Sequence, residues 1–358
     1  MLTYKEKKRD SNIELFRIIT MILIVAHHYV VNSGLGDLIQ ANPFSFNSLF
    51  ALLAGAWGKI GINCFVFITG YFMCRSNISV RKFLKLLLEI EFYKIGIGIL
   101  FMITGYEPVS FHSILNMILP VRNISTGFTS AFLIFYLCIP FLNILIRNLD
   151  EKMHFRLILL GLFIYVLPAS LPGFYVSFNY VSWFIVLYFI SSFVSLYSKP
   201  LFENKTFWKK AMILFVGLSI LSILACNFIG MKRGIFKPYY FIYESNRLLA
   251  LVTAFSLFMF FKNLQIPYNK RINTISKTTF GILLIHANSD AMRTWLWKDV
   301  LNNMYAFGQS WMILHMIGSV LLVFSICSLI DLCRIYFLEK PVFKIIDQKL
   351  PIATQIKK

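Results

Sequence analysis

The sequence predicts an all-α fold, a polytopic bundle of about ten membrane-spanning helices with both termini in the cytoplasm. Three observations lead there. Hydrophobic residues fill 58% of 358 positions, above the roughly 45–50% of soluble domains, and mean hydropathy is +0.70. Only 14% of residues are charged, and uncharged apolar runs such as 18–26, 49–56 and 318–330 recur along the chain. Lysine and arginine, finally, are divided unevenly between alternate loops.

A span needs about 20 mostly apolar residues to cross a hydrocarbon core roughly 30 Å thick. Such stretches are expected near 13–33, 48–73, 83–105, 128–147, 155–171, 181–197, 210–230, 243–262, 276–292 and 312–338. The fifth runs into Pro168 and Pro172, and the ninth contains His286, Asn288 and Asp290. The patch 111–120 is too short to cross and reads as a re-entrant or surface piece.

Cytoplasmic loops retain basic residues, which fixes the orientation. With the amino terminus inside, the inner segments hold Lys5, Lys7, Lys8 and Arg9; Arg75, Arg81 and Lys82; Arg147, Lys152 and Arg156; Lys199, Lys205, Lys209 and Lys210; and Lys262, Lys270, Arg271 and Lys277. The C-terminal tail adds Arg334, Lys340, Lys344, Lys349, Lys357 and Lys358, against Arg122, Lys232, Arg233, Lys237, Arg293 and Lys298 outside. The chain thus divides into a basic tail over 1–12, one transmembrane domain over 13–338 and a second cytoplasmic tail over 339–358.

The net charge of +19 follows from those inner loops, which face anionic lipid headgroups; nucleic acid is not an implied partner, since no reader motif is present. The first apolar segment lacks a small-residue cleavage site and is expected to stay as an anchor. Six cysteines without CxxC spacing read as packing residues, with no metal site. No internal repeat supports a repeat-built transporter fold.

Ionisable residues inside a bilayer cost at least about 2.5–3.5 kcal/mol on insertion scales, so each needs a partner or a task. They are Glu14, Arg17, His27 and His28 in the first span, Lys59 in the second, Lys85, Glu89, Glu91 and Lys94 in the third, Glu244 and Arg247 in the eighth, and His286 in the ninth. Arg17 and His28, eleven residues apart, share a helix face about 16 Å apart along the axis, and Glu14 has i,i+3 spacing to Arg17. They form a polar stripe, with Arg17 near the inner mouth and His28 in the outer half. Glu14 and Arg17 also suit interfacial anchoring, and His28 a bond between helices; yet neutral imidazole is the usual general base near neutral pH. Arg81, Lys82 and Lys85 could hold phosphates, although Lys85 with Glu89, and Glu91 with Lys94, have the spacing of neutralising pairs. Gly55, Gly58 and Gly61 mark close helix packing.

The stretch from Ser11 through Glu14 and Arg17 to His27, His28 and Tyr29 resembles the opening helix of the acyltransferase-3 family of membrane O-acyltransferases. Asn63 to Phe72, with Thr69-Gly70, is similar to that family's second-span ending, and Arg81, Lys82 and Lys85 fall at its basic cluster. Phe135-Tyr136-Leu137 leading to Pro140-Phe141-Leu142-Asn143 resembles its fourth-span ending, and Ile275 to His286 its late segment closing on histidine.

The resemblance implies transfer of an acyl group, usually acetyl, from cytoplasmic acyl-coenzyme A to a hydroxyl of a cell-envelope polysaccharide or its lipid-linked precursor, in the cell membrane. The donor is a substrate, and no permanently bound cofactor is implied. On this reading Arg17, Arg81, Lys82 and Lys85 hold the donor, Glu14 orients Arg17, and His286 adds a polar contact. His28 takes the acceptor proton or carries the acyl group itself. A transporter or flippase for glycan or lipid intermediates is the alternative, and acetyl-coenzyme A consumption separates the two. A glycan polymerase ranks third, because the longest predicted outer loop, 106–127, has only Arg122 and His112 as basic side chains.

Overall fold

The computed structural model describes residues 10–121, 124–125, 127–171, 173–174 and 176–349. Lys5, Lys7, Lys8, Arg9, Arg122, Pro172, Lys357 and Lys358, used above, lie outside the described residues. No strand occurs among those described.

The chain begins with α1 (Ser11–Val31), then α2 (Leu35–Ala41), α3 (Phe46–Ala54) and α4 (Trp57–Met73). Next come α5 (Val80–Ile103), α6 (Phe111–Ile118), α7 (Phe128–Arg147), α8 (Glu151–Ser170) and α9 (Tyr180–Leu196). The second half contains α10 (Pro200–Glu203), α11 (Lys205–Arg233), α12 (Leu248–Lys262), α13 (Lys270–Ile275), α14 (Thr279–His286), α15 (Asp290–Thr294) and α16 (Asn303–Phe307). It closes with α17 (Met312–Arg334) and α18 (Lys340–Lys349). A 3-10 turn, Ser276–Thr278, joins α13 to α14, and π-helical segments Trp295–Val300 and Ile335–Glu339 follow α15 and α17.

Among the described residues six helical stretches are long and apolar enough to cross a bilayer: α1, α3 with α4, α7, α8, α11 and the stretch from Met312 to Gln348. Helices α9 and α12 are apolar but shorter. The third expected span is α5, 24 residues long but interrupted by Glu89, Glu91 and Lys94. The ninth is broken: α14 stops at His286, leaving Asn288 beyond its end and Asp290 in α15. The fifth runs through Pro168 and starts at Glu151, where the Asp150 carboxylate accepts the Met153 N–H at 2.7 Å, an N-cap. The eighth starts only at Leu248, so Glu244 and Arg247 precede the helix. The patch 111–120 is the short helix α6.

Contacts at helix ends show the chain running up and down. Ser11 Oγ donates to Asn273 Oδ1 at 3.1 Å, and Asn12 Nδ2 to the Phe261 and Lys262 carbonyls at 3.0 and 2.9 Å. Asn143 Nδ2 reaches the Met73 and Ser76 carbonyls at 3.1 and 3.2 Å. The starts of α1 and α13 therefore lie beside the end of α12, and the ends of α4 and α7 lie together. At the opposite end Lys59 meets Tyr180, Tyr29 meets His315, and the Leu248 N–H meets Ser170 Oγ at 2.9 Å.

Helix α4 sits centrally, packed on α1, α9 and α12. Glycine permits this: a Cβ at Gly58 would fall 2.3 Å from His27 Cδ2 and one at Gly61 2.7 Å from Ile24 Cγ1, while Gly55, which caps the end of α3, lies against the Tyr239 hydroxyl. Trp183, Phe184, Leu187 and Tyr188 of α9 are fully buried. By contrast Phe141, Leu214, Leu221, Leu314, Leu322 and Leu329 point outward. An apolar outer surface of this extent belongs in lipid, and the protein is a multi-pass membrane protein.

Candidate functional site

His28 is brought to the last residue of α14. Its Nδ1 lies 2.9 Å from His286 Nε2, and His286 Nδ1 lies 2.6 Å from the Ile282 carbonyl oxygen one turn earlier. A carbonyl oxygen only accepts, so His286 Nδ1 bears the proton. Neutral His286 then offers a lone pair at Nε2, which His28 Nδ1–H fills. One backbone carbonyl thus sets two tautomers in series and leaves the lone pair of His28 on Nε2. His286 is wholly buried, so its orientation is fixed by packing as well as by its bonds.

The neighbouring His27 is held differently. Its Nδ1 is 2.5 Å from the Gly55 carbonyl, and its ring lies against Gly58. The two histidines, about 100° apart around α1, therefore face separate partners.

Both border a cavity of about 440 Å³. Toward the helix ends its wall is polar, with Asn32, Lys59, Lys94, Ser130, Asn288 and Arg293; its depth is apolar, with Met21, Ile24, Ile62, Phe65 and Ile90. Lys59 Nζ donates to the Tyr180 hydroxyl at 2.7 Å. Lys94 donates to the Leu119 carbonyl, and Arg293 pairs with Asp290 at 2.7 Å. A second cavity of about 600 Å³ adjoins it, and Lys94, Ser130, Asn288 and Arg293 line both. An imidazole lone pair among cations beside an apolar pocket is suited to take a proton from a hydroxyl and to stabilise developing negative charge.

The other sequence-predicted site residues are not gathered there. Glu14 and Arg17 lie 3.5 Å apart, as the i,i+3 spacing anticipated, but the cavity reaches down α1 only to Met21. The polar stripe is thus interrupted by Met21 and Ile24. Arg81, Lys82 and Lys85 sit at the far end of α5. Arg81 makes a bidentate pair with Asp347 at 2.8 and 2.9 Å, Lys82 Nζ bonds the Asn77 carbonyl at 2.8 Å, and Lys85 pairs with Glu339 at 2.6 Å.

The expected Lys85 pairing with Glu89 is replaced by tertiary ones. Glu89 meets Arg334 at 3.1 Å, and Arg334 also binds Asp331 at 2.7 Å and Glu339 at 2.9 Å. Tyr93 donates to Asp331 at 2.7 Å. Arg334, assigned to the tail from sequence, is in fact buried. Asp331 inside an expected span, three residues before an arginine, was the available signal for this cluster. His315, bound to Tyr29 at 2.9 Å, carried the same signal, an ionisable side chain inside the expected span 312–338.

A family model described as an acyltransferase domain matches residues 10–332. No curated protein and no solved structure matches the chain.

Proposed function

The chain belongs to the acyltransferase-3 family, and from that premise we propose that it is an O-acyltransferase of the cell membrane, moving an acyl group, most simply acetyl, from cytoplasmic acyl-coenzyme A to a hydroxyl of a cell-envelope polysaccharide or its lipid-linked precursor. The observation that supports this most directly is the oriented pair His28–His286, with the His28 Nε2 lone pair beside a cavity.

In the proposed step the acceptor oxygen attacks the thioester carbonyl carbon as its proton passes to His28 Nε2. The C–S bond then breaks, the ester remains on the acceptor, and the leaving thiolate takes the proton back. Imidazolium formed at His28 keeps its Nδ1–H bond to His286, so no reorganisation accompanies proton transfer. Lys59 gives one of its three N–H donors to Tyr180 and faces the cavity, where it answers the charge on the carbonyl oxygen. Arg81, Lys82 and Lys85 are assigned to the donor's phosphates, and Arg17, oriented by Glu14, to the donor as well. His286 acts through His28 and is a positioning residue.

The test uses membranes holding wild-type protein or His28→Ala, supplied with radiolabelled acetyl-coenzyme A and the host's envelope polysaccharide. Loss of a positioned base lowers ester formation by about 10²–10⁴-fold at equal protein levels. Undiminished ester formation removes His28 from the mechanism, and a wild-type protein that leaves the thioester intact is a transporter rather than a transferase.

A further inference from the structure

We propose that the second cavity, of about 600 Å³, binds the acceptor as a neutral, hydroxyl-rich sugar ring and delivers one hydroxyl across its shared wall to His28. This rests on the acyltransferase reading and adds to it the place and chemical class of the acceptor.

The two cavities differ in chemistry. The one containing His28 is floored by Met21, Ile24, Phe65 and Ile90, a lining that suits an acyl group and the thioester arm behind it. The other is walled by Glu107, His112, Ser113, Asn116, Ser289 and Asp290, with few apolar side chains. Such a wall offers both hydrogen-bond donors and acceptors, which a ring bearing several hydroxyls requires.

Among the described residues its charges balance, Lys94 and Arg293 against Glu107 and Asp290. A phosphate-bearing molecule such as coenzyme A finds no cationic excess there, whereas an uncharged polyol does not require one. The size falls within the ordinary range for a bound small molecule.

The junction supplies the third argument. Lys94, Ser130, Asn288 and Arg293 belong to both cavities, so a ring in the polar chamber presents its nearest hydroxyl to the chamber of His28. Asn288 is fixed there by bonds to the Tyr93 and Leu284 carbonyls at 3.2 and 3.0 Å, and Arg293 by Asp290.

Asn116→Ala and Glu107→Gln alter the wall remote from His28. With purified protein, acetyl-coenzyme A and host polysaccharide stripped of esters by mild base as the acceptor, each is expected to raise KM for the polysaccharide about 10-fold, the loss of one to two hydrogen bonds, with KM for acetyl-coenzyme A unmoved. Unchanged KM for the polysaccharide in both variants, or a rise in KM for acetyl-coenzyme A instead, overturns the assignment. Glu107→Gln keeps the side-chain shape and decides the matter if Asn116→Ala unfolds. A wild-type protein that forms no ester overturns the transferase reading and the acceptor chamber with it; normal wild-type turnover with insensitive variants overturns the chamber alone.

Discussion

The two ends of the bundle treat charge in opposite ways. At the end holding the start of α1, cations meet carboxylates: Arg81 with Asp347, Lys85 with Glu339, Lys262 with Glu203 at 2.9 Å, and Arg334 with three acids at once. At the other end Lys59 meets a phenol and the histidines meet each other. Arg293 has a carboxylate, but the Asp290 side chain is 97% exposed. Charge matched by buried countercharge ties helices together, whereas charge matched by neutral groups at a cavity keeps its field for a ligand. The buried cluster around Arg334 at the first end reads as architecture, and the second end as chemistry.

The largest break with that contrast would come at Arg334. Arg334→Met keeps the length of the side chain and leaves Glu89 and Asp331 buried without their cation, which costs about 3–5 kcal/mol. Thermal unfolding in detergent measures it. A loss under about 1 kcal/mol means that the cluster does not hold α5, α14 and α17 together. Gly281 points to the same tie, since a Cβ there would lie 2.3 Å from the Asp331 carboxyl.

At the opposite end the corresponding change is functional. His286→Ala removes the acceptor for His28 Nδ1–H and frees the ring to turn or change tautomer. Turnover is expected to fall about 10²-fold through lost orientation, with KM for acetyl-coenzyme A unchanged, while the space left by a wholly buried ring lowers the unfolding temperature as well. His286→Gln, whose side-chain oxygen can accept the same hydrogen, should recover part of it. If alanine and glutamine behave alike, the bond at 2.9 Å does not orient His28.

Much of this contrast was legible in the sequence, for reasons that also explain what was not. Apolar runs must become helices in lipid because nothing else there satisfies the backbone, so each expected span contains helix, although the eighth starts only at Leu248 and the ninth is broken after His286. The i,i+3 relation of Glu14 and Arg17 is local and carried through. The glycines of α4 were readable as contacts, because only their backbone can approach another helix so closely. Partners distant in the chain were not readable. His28 and His286 are 258 positions apart, and helical spacing assigned Lys85 to Glu89 when Arg334 at the end of α17 pairs with Glu89 and Glu339 in the π-helical turn after it pairs with Lys85. The early end of α14 was signalled by His286, Asn288 and Asp290 inside the ninth expected span, where the apolar run Ile282 to Ile285 gives out.

The smallest stability effect, and the sharpest test of the contrast, lies at Arg81. Its pair with Asp347 is exposed, with side-chain accessibilities of 46% and 42%, and such pairs contribute about 0–1 kcal/mol. Asp347→Asn should therefore barely shift unfolding. If Arg81 serves the donor, however, Asp347 occupies the guanidinium face that a phosphate would take, since carboxylate and phosphate both accept its two parallel N–H bonds. Weakening that competitor should lower KM for acetyl-coenzyme A a few-fold, Arg81→Ala should raise it, and kcat should hold in both, because the reacting atoms are at the other end of the bundle. An Arg81→Ala protein with unaltered KM for acetyl-coenzyme A would make the pair purely structural, move phosphate recognition elsewhere, and extend the architectural reading to the whole of that end.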